Sequence, residues 1–156
     1  MKKYILLLGI ALIGTMVIIL FFYHFGHHDS VALTDFSIAY TNYDKAEANY
    51  STAVKASSIN DAISTDAFEY KANQSLTELN QKASARISSL TKYDPELMSL
   101  MQEIATLSGK ELNTLDAYRT AITDKDASLD GLAKELSDLT ALRQAAYARF
   151  RELSGL

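Results

Sequence analysis

Residues 4–23, YILLLGIALIGTMVIILFFY, are 20 consecutive residues without a charge. At 1.5 Å rise per residue such a run spans roughly the 30 Å hydrocarbon core of a bilayer. Lipid offers no hydrogen-bond partners, so the backbone has to satisfy itself, and the run is expected to be a helix. Tyr4 and Tyr23 flank it at the positions of the two interfaces. Lys2 and Lys3 lie just before it, whereas the first basic residue after it is Lys45. That asymmetry predicts residues 1–3 in the cytoplasm, a transmembrane anchor at 4–23 and the remainder outside the cell membrane. The rival reading is a cleaved signal peptide ending near Ser30-Val31-Ala32. Such peptides have an apolar core of about 7–15 residues, shorter than this run, and a cleavage site close behind it. Gly9, Ala11, Gly14 and Thr15 give the span a small-residue side, but no G-x-x-x-G spacing occurs.

The rest of the chain is built for helix. In 156 residues there is one proline, Pro95, and there are six glycines. So few breakers disfavour a sheet with many turns. The absence of cysteine excludes a disulfide framework, zinc–thiolate sites and thiol nucleophiles. Beyond residue 23 the chain has 13 Lys and Arg against 19 Asp and Glu, a mildly acidic balance that argues against nucleic acid as a partner.

Four apolar stripes follow helical spacing. Phe36, Tyr40, Tyr43, Glu47, Tyr50 and Val54 alternate in steps of four and three, with Ala39, Ala46 and Ala53 alongside. Phe68, Ala72, Leu76, Leu79, Ala83, Ile87 and Leu90 make the second stripe. Leu97, Met101, Ile104, Leu115, Tyr118 and Ile122 make the third, joined by Leu100 and Leu107 and interrupted by Ser108, Gly109 and Glu111. Leu129, Leu132, Leu136, Leu139, Ala146, Phe150 and Leu153 make the fourth, with Arg143 as its exception.

Asp94-Pro95-Glu96 is a strong helix start, with a capping carboxylate, a proline at the first position and an acid at the positive end of the dipole. Ser57 to Asp61 and Thr123 to Asp126 are weaker breaks. The expected fold is all-α. One N-terminal transmembrane helix and a juxtamembrane hinge at 24–30 lead into an antiparallel up-down four-helix bundle over 31–156, with helices at about 31–57, 61–91, 95–123 and 127–153. Heptad phase runs on through both weak breaks, which leaves an alternative. It is a coiled-coil hairpin of two helices turning at Asp94-Pro95 and about 90 Å long at 1.5 Å per residue.

Three groups of residues are candidate sites. His24, His27 and His28, with Asp29, follow the apolar run directly. His24 and His28 stand one helical turn apart and are candidate ligands for Zn²⁺ or Cu²⁺. Gly26 loosens the helix between them and no second shell is in view, so the stretch reads better as a polar collar at the membrane exit. Phe36, Tyr40, Tyr43 and Tyr50 form an aromatic face. It is a candidate for a protein partner, or for a ligand held near Tyr40, Tyr43 and Tyr118, if the bundle leaves it open. Arg143, Arg149 and Arg151 are candidates for docking acidic partners or headgroups, although cations also suit a helix C-terminus. Asn49-Tyr50-Ser51 and Asn73-Gln74-Ser75 match the N-glycosylation pattern.

No catalytic constellation is visible, because all three histidines precede the bundle and no glycine-rich phosphate loop occurs. No cofactor is expected. The expected role is a single-pass, non-catalytic structural or interaction module of the cell envelope, with the lipid bilayer and a protein partner or second copy as its contacts. Its alternatives are a ligand-sensing bundle that signals through a partner membrane protein, and a bridging coiled coil.

Overall fold

The computed structural model describes residues 31–56, 62–84, 95–124 and 128–156. They form four helices and, among the described residues, no strand. Helix α1 covers 31–56, α2 Ala62–Ser84, α3 Pro95–Asp124 and α4 Leu129–Ser154. The apolar run at 4–23 and the histidine stretch lie outside the described residues. No helix among the described residues is long and apolar enough to cross a membrane.

The contacts fix how the helices run. Lys82 Nζ lies 2.9 Å from Asp35 Oδ2, bringing the end of α2 to the start of α1. A single helix through both would hold these residues, 47 positions apart, about 70 Å from one another at 1.5 Å per residue. The long hairpin is therefore excluded, and α1 and α2 run antiparallel. The same argument applies to the second break. Arg149 Nε donates to Glu96 Oε1 at 3.1 Å, and Arg143 Nε sits 2.6 Å from Glu111 Oε2, so α4 runs antiparallel to α3. Arg119 of α3 reaches back to Asp66 and Glu69 near the start of α2, with Nη1 to Glu69 Oε2 at 2.5 Å. At the other end Gln102 Nε2 donates to the Ala83 carbonyl at 2.5 Å. Neighbours in sequence are thus antiparallel, and α3 packs more extensively on α4 than on α2.

Local chemistry explains the ends that are described. Helix α3 begins at Pro95, whose missing N–H is no loss in a first turn, with Glu96 beside it. Helix α4 closes at Gly155, which takes the left-handed conformation (φ 71°) and donates its N–H to the Arg151 carbonyl at 3.1 Å. Glycine alone adopts that conformation without a Cβ penalty, and it satisfies a carbonyl that the helix leaves open.

Two apolar groups make the core. One gathers Phe36, Leu79, Leu97, Met101, Ile104 and Phe150, all 4% exposed or less. Phe36 meets Phe150 edge-on at 5.0 Å between ring centres, and Tyr147 stacks on Tyr40 at 3.7 Å. The other group, further along α1, gathers Ala46, Tyr50, Val54, Ala72, Leu112 and Leu115. The second stripe needs a correction. Phe68 is 37% exposed, while Thr65 is buried. The inward line of α2 runs through Thr65, Ala72 and Leu79, seven apart; at 100° per residue Phe68 and Leu76 fall about 40° to either side of it.

Candidate functional site

The polar residues that interrupt three of the stripes meet in one place. Glu47 comes from α1, Ser108 and Glu111 from α3, and Arg143 from α4. Each occupies a core position of its own helix, and burial confirms it, with Arg143 1% exposed, Glu111 and Ser108 fully buried and Glu47 8% exposed. An arginine with its partners buried so deeply requires a nearly complete set of bonds, because an isolated charge in such surroundings is very costly.

A guanidinium carries five N–H donors in a planar fork. Here Nη1 donates to the Tyr40 hydroxyl at 2.9 Å and to Asp44 Oδ1 at 2.7 Å. Nε contacts Glu111 Oε2 at 2.6 Å, off the hydrogen-bond axis, and Nη2 donates to Glu111 Oε1 at 3.4 Å. Glu111 Oε1 also accepts from the Thr140 hydroxyl, one turn before Arg143 on α4. The guanidinium carbon stands 5.4 Å from the centres of both the Tyr40 and Tyr43 rings. Burial opposes the Arg143 charge, but Glu111 and then Tyr40 more than offset it, and the group is held above its already high range.

Glu47 is left over. Its nearest cationic nitrogen, Arg143 Nη2, is 3.8 Å away, too long for a hydrogen bond. Burial, and then the negative charge of Glu111, push its carboxyl up to about 7. Three carboxylates thus share one guanidinium, and Glu47 has the weakest hold on it. Asp44 is 46% exposed and can be hydrated, whereas Glu47 cannot to the same degree.

Glu47 borders a cleft of about 420 Å³ between α1, α3 and α4. Ser51, Tyr118, Leu136, Ser137 and Thr140 also line it. A larger and more open groove, about 790 Å³, runs between α1 and α2 and is lined by amides, among them Asn42, Asn49, Asn73 and Gln74. Both asparagines of the glycosylation patterns are exposed at that groove, with Tyr50 of the first pattern buried between the helices.

The aromatic face lies inside the bundle. Phe36, Tyr43 and Tyr50 are fully buried and Tyr40 is 4% exposed, so the condition that the bundle leave them uncovered is not met. Each buried phenol has a partner. Tyr43 donates to the Ser108 carbonyl and Tyr50 to Asp116 Oδ1, both at 2.7 Å. Burial raises the hydroxyls of Tyr40, to about 12, and of Tyr43 and Tyr50 further still, so all three stay protonated at neutral pH. Of the tyrosines considered for a ligand, only Tyr118 faces the cleft with Glu47.

The C-terminal arginines separate. Arg143 is core, while Arg149 pairs with Glu96 and Glu152 at the surface and Arg151 is exposed. The metal candidates His24, His27, His28 and Asp29 lie outside the described residues. Among the described residues no group of three His, Cys, Asp or Glu side chains is arranged to hold a metal ion. The convergence of Glu47, Glu111 and Arg143 escaped the sequence reading, although each residue stood out singly as a charge in an apolar stripe. The available signal was that the three exceptions are of opposite sign and that none falls on a surface position. Comparison of the chain with models of protein families, with curated proteins and with solved structures finds no match in any of the three.

Proposed function

We propose that the chain is a single-pass membrane protein that displays its helical bundle on the extracytoplasmic side. There it serves as a non-catalytic structural or protein-interaction module of the cell envelope. One observation carries this reading. A 20-residue uncharged run is preceded by two lysines and followed by no basic residue until Lys45. The bundle supports it in a second way. Phe36, Tyr40, Tyr43 and Tyr50 and the deeply buried Arg143 are engaged inside the bundle, so partner recognition falls to the outside of the bundle and to the membrane-proximal stretch.

The lack of cysteine makes the topology easy to test. Single-cysteine variants Lys2→Cys and Ala145→Cys, the latter at an exposed position of α4, are labelled in intact cells with a membrane-impermeant maleimide. Ala145→Cys should react directly, and Lys2→Cys only after lysis. The opposite pattern, or release of the chain from membranes by alkaline carbonate, would contradict the reading. Crosslinking in intact membranes then distinguishes a second copy from a different protein.

A further inference from the structure

We infer that the cleft between α1, α3 and α4 is a binding site for a small organic ammonium compound, with Glu47 as its counter-charge and Tyr118 as its aromatic wall. This goes beyond the envelope role and holds with or without a membrane anchor. The first ground is satisfiability. Two N–H groups of Arg143 serve Tyr40 and Asp44, a third serves Glu111, and Nε lies 2.6 Å from Glu111 Oε2 without hydrogen-bond alignment. Nη2 is also the nitrogen nearest Glu47, at 3.8 Å and beyond hydrogen-bond reach. Glu47, 8% exposed, therefore has no hydrogen-bond donor among the described residues, and its carboxylate borders the cleft. A buried carboxylate in that condition is costly unless a donor or cation completes it.

The second ground is the cleft itself. At about 420 Å³ it is far larger than a metal ion needs and falls within the range of small-molecule sites, about 300–1,000 Å³. Its lining suits an alkylammonium. The Ser137 and Thr140 hydroxyls can accept N–H bonds, Leu136 can cover an alkyl chain, and the Tyr118 ring can face the cation. The third ground is charge. The groups that act on Glu47 are Glu111 from α3, Arg143 from α4, and Asp44 and Lys55 from α1 itself. Two further carboxylates against one committed guanidinium leave the surroundings of Glu47 net negative behind the cleft wall. Lys55, exposed at the other end of the cleft, is the group that works against an incoming cation. Its exposed side chain leaves its charge in water, so it weakens the site without filling it.

The test is calorimetric titration of the full chain in detergent micelles with n-butylammonium chloride, against sodium chloride at equal ionic strength. We expect saturable binding at pH 8 and weaker binding at pH 6, where Glu47 is more often neutral. Glu47→Gln should weaken binding roughly tenfold or more, the scale of a lost charge-assisted bond. Lys55→Met should tighten it. Tyr118→Leu, at a half-buried position, should weaken it several-fold and serves as the reporter if Glu47→Gln alters the helical content. Four results would each overturn the assignment: no saturable binding at pH 8, equal affinity in wild type and a folded Glu47→Gln, sodium bound more tightly than butylammonium, or weaker binding in Lys55→Met.

Discussion

Two layers of one bundle are held together by different physics. Around Phe36 and Phe150 the helices meet chiefly through apolar surface, and neither ring depends on a neighbour's charge. Around Arg143, only seven residues earlier on α4, they meet through a guanidinium of α4 with partners on α1 and α3. Apolar surface contributes roughly in proportion to its area and loses contributions piecemeal. The charged layer has little net value as a unit, because desolvation offsets attraction, yet it is intolerant of losing one member. The difference teaches where the bundle obtains its stability and where it obtains its register. Sliding α4 by one turn would still bury apolar surface, but it would leave Glu111 without Arg143.

The sharpest way to break this comparison is Arg143→Met. It leaves Glu111, fully buried, without its cation, and should cost roughly 3–5 kcal/mol in chemical denaturation. The double variant Arg143→Met with Glu111→Met should recover most of that loss, since paired apolar replacements of a buried ion pair are often neutral or stabilising. If the single change costs less than about 1 kcal/mol, the layer is wet and the contrast collapses.

Glu47→Gln acts next, and in the opposite direction. Burial and Glu111 hold its carboxyl at about 7 in the fold, against an ordinary value of 4.5. The folded chain therefore binds this proton more tightly than the unfolded chain. The stability contributed by the neutral form is fully present below about pH 4.5 and is lost as pH rises to about 7. At about 1.4 kcal/mol per pKa unit, the loss is on the order of 3 kcal/mol by pH 8. Glu47→Gln should thus stabilise the bundle at pH 8 by up to that amount and change little at pH 4.5, as denaturation midpoints at the two pH values would show. A variant equally stable relative to wild type at both pH values would mean that Glu47 is hydrated.

Phe150→Leu probes the apolar layer. The lost edge-on contact with Phe36 and the change of shape should cost about 1.5 kcal/mol, independent of pH. A marked pH dependence in this variant would join the two layers into one cooperative unit.

Much of this architecture can be read from the residues alone, and for definable reasons. Helical spacing of apolar residues is a local signal, and it places Phe36, Met101, Leu115 and Phe150 correctly. Pro95 starts a helix wherever tertiary structure puts it. The weak breaks were ambiguous because Ser, Asn and Asp permit a helix as well as a turn. Only contacts such as Asp35–Lys82 resolve them. The polar cluster depends on which faces of α1, α3 and α4 look at one another, and that information lies in no single helix. Glu47, Glu111 and Arg143 could be recognised as misfits in their stripes, but not as partners. The aromatic residues are covered for a related reason: Tyr40, Tyr43 and Tyr50 are long enough to fill the core and still bring their hydroxyls to Arg143, Ser108 and Asp116.

The smallest effect is expected from Arg149→Ala, and it isolates the variable that matters. Arg149 lies six residues beyond Arg143 on the same helix and also carries two carboxylate partners, Glu96 at 3.1 Å and Glu152 at 2.9 Å. Arg143 has one carboxylate more, Glu47, but that one stands 3.8 Å away. The two arginines differ in exposure, 46% against 1% at the side chain. Water and salt screen the outer pair, and ordering two long side chains offsets what attraction remains. Its removal should leave the denaturation midpoint within the scatter of repeat measurements at 0.15 M salt, and raising the salt should not alter wild type and variant differently. A large loss at Arg149 would show that the ion pairs of α4 are strong wherever they stand, and the distinction between the two layers would then rest on partner number rather than on burial.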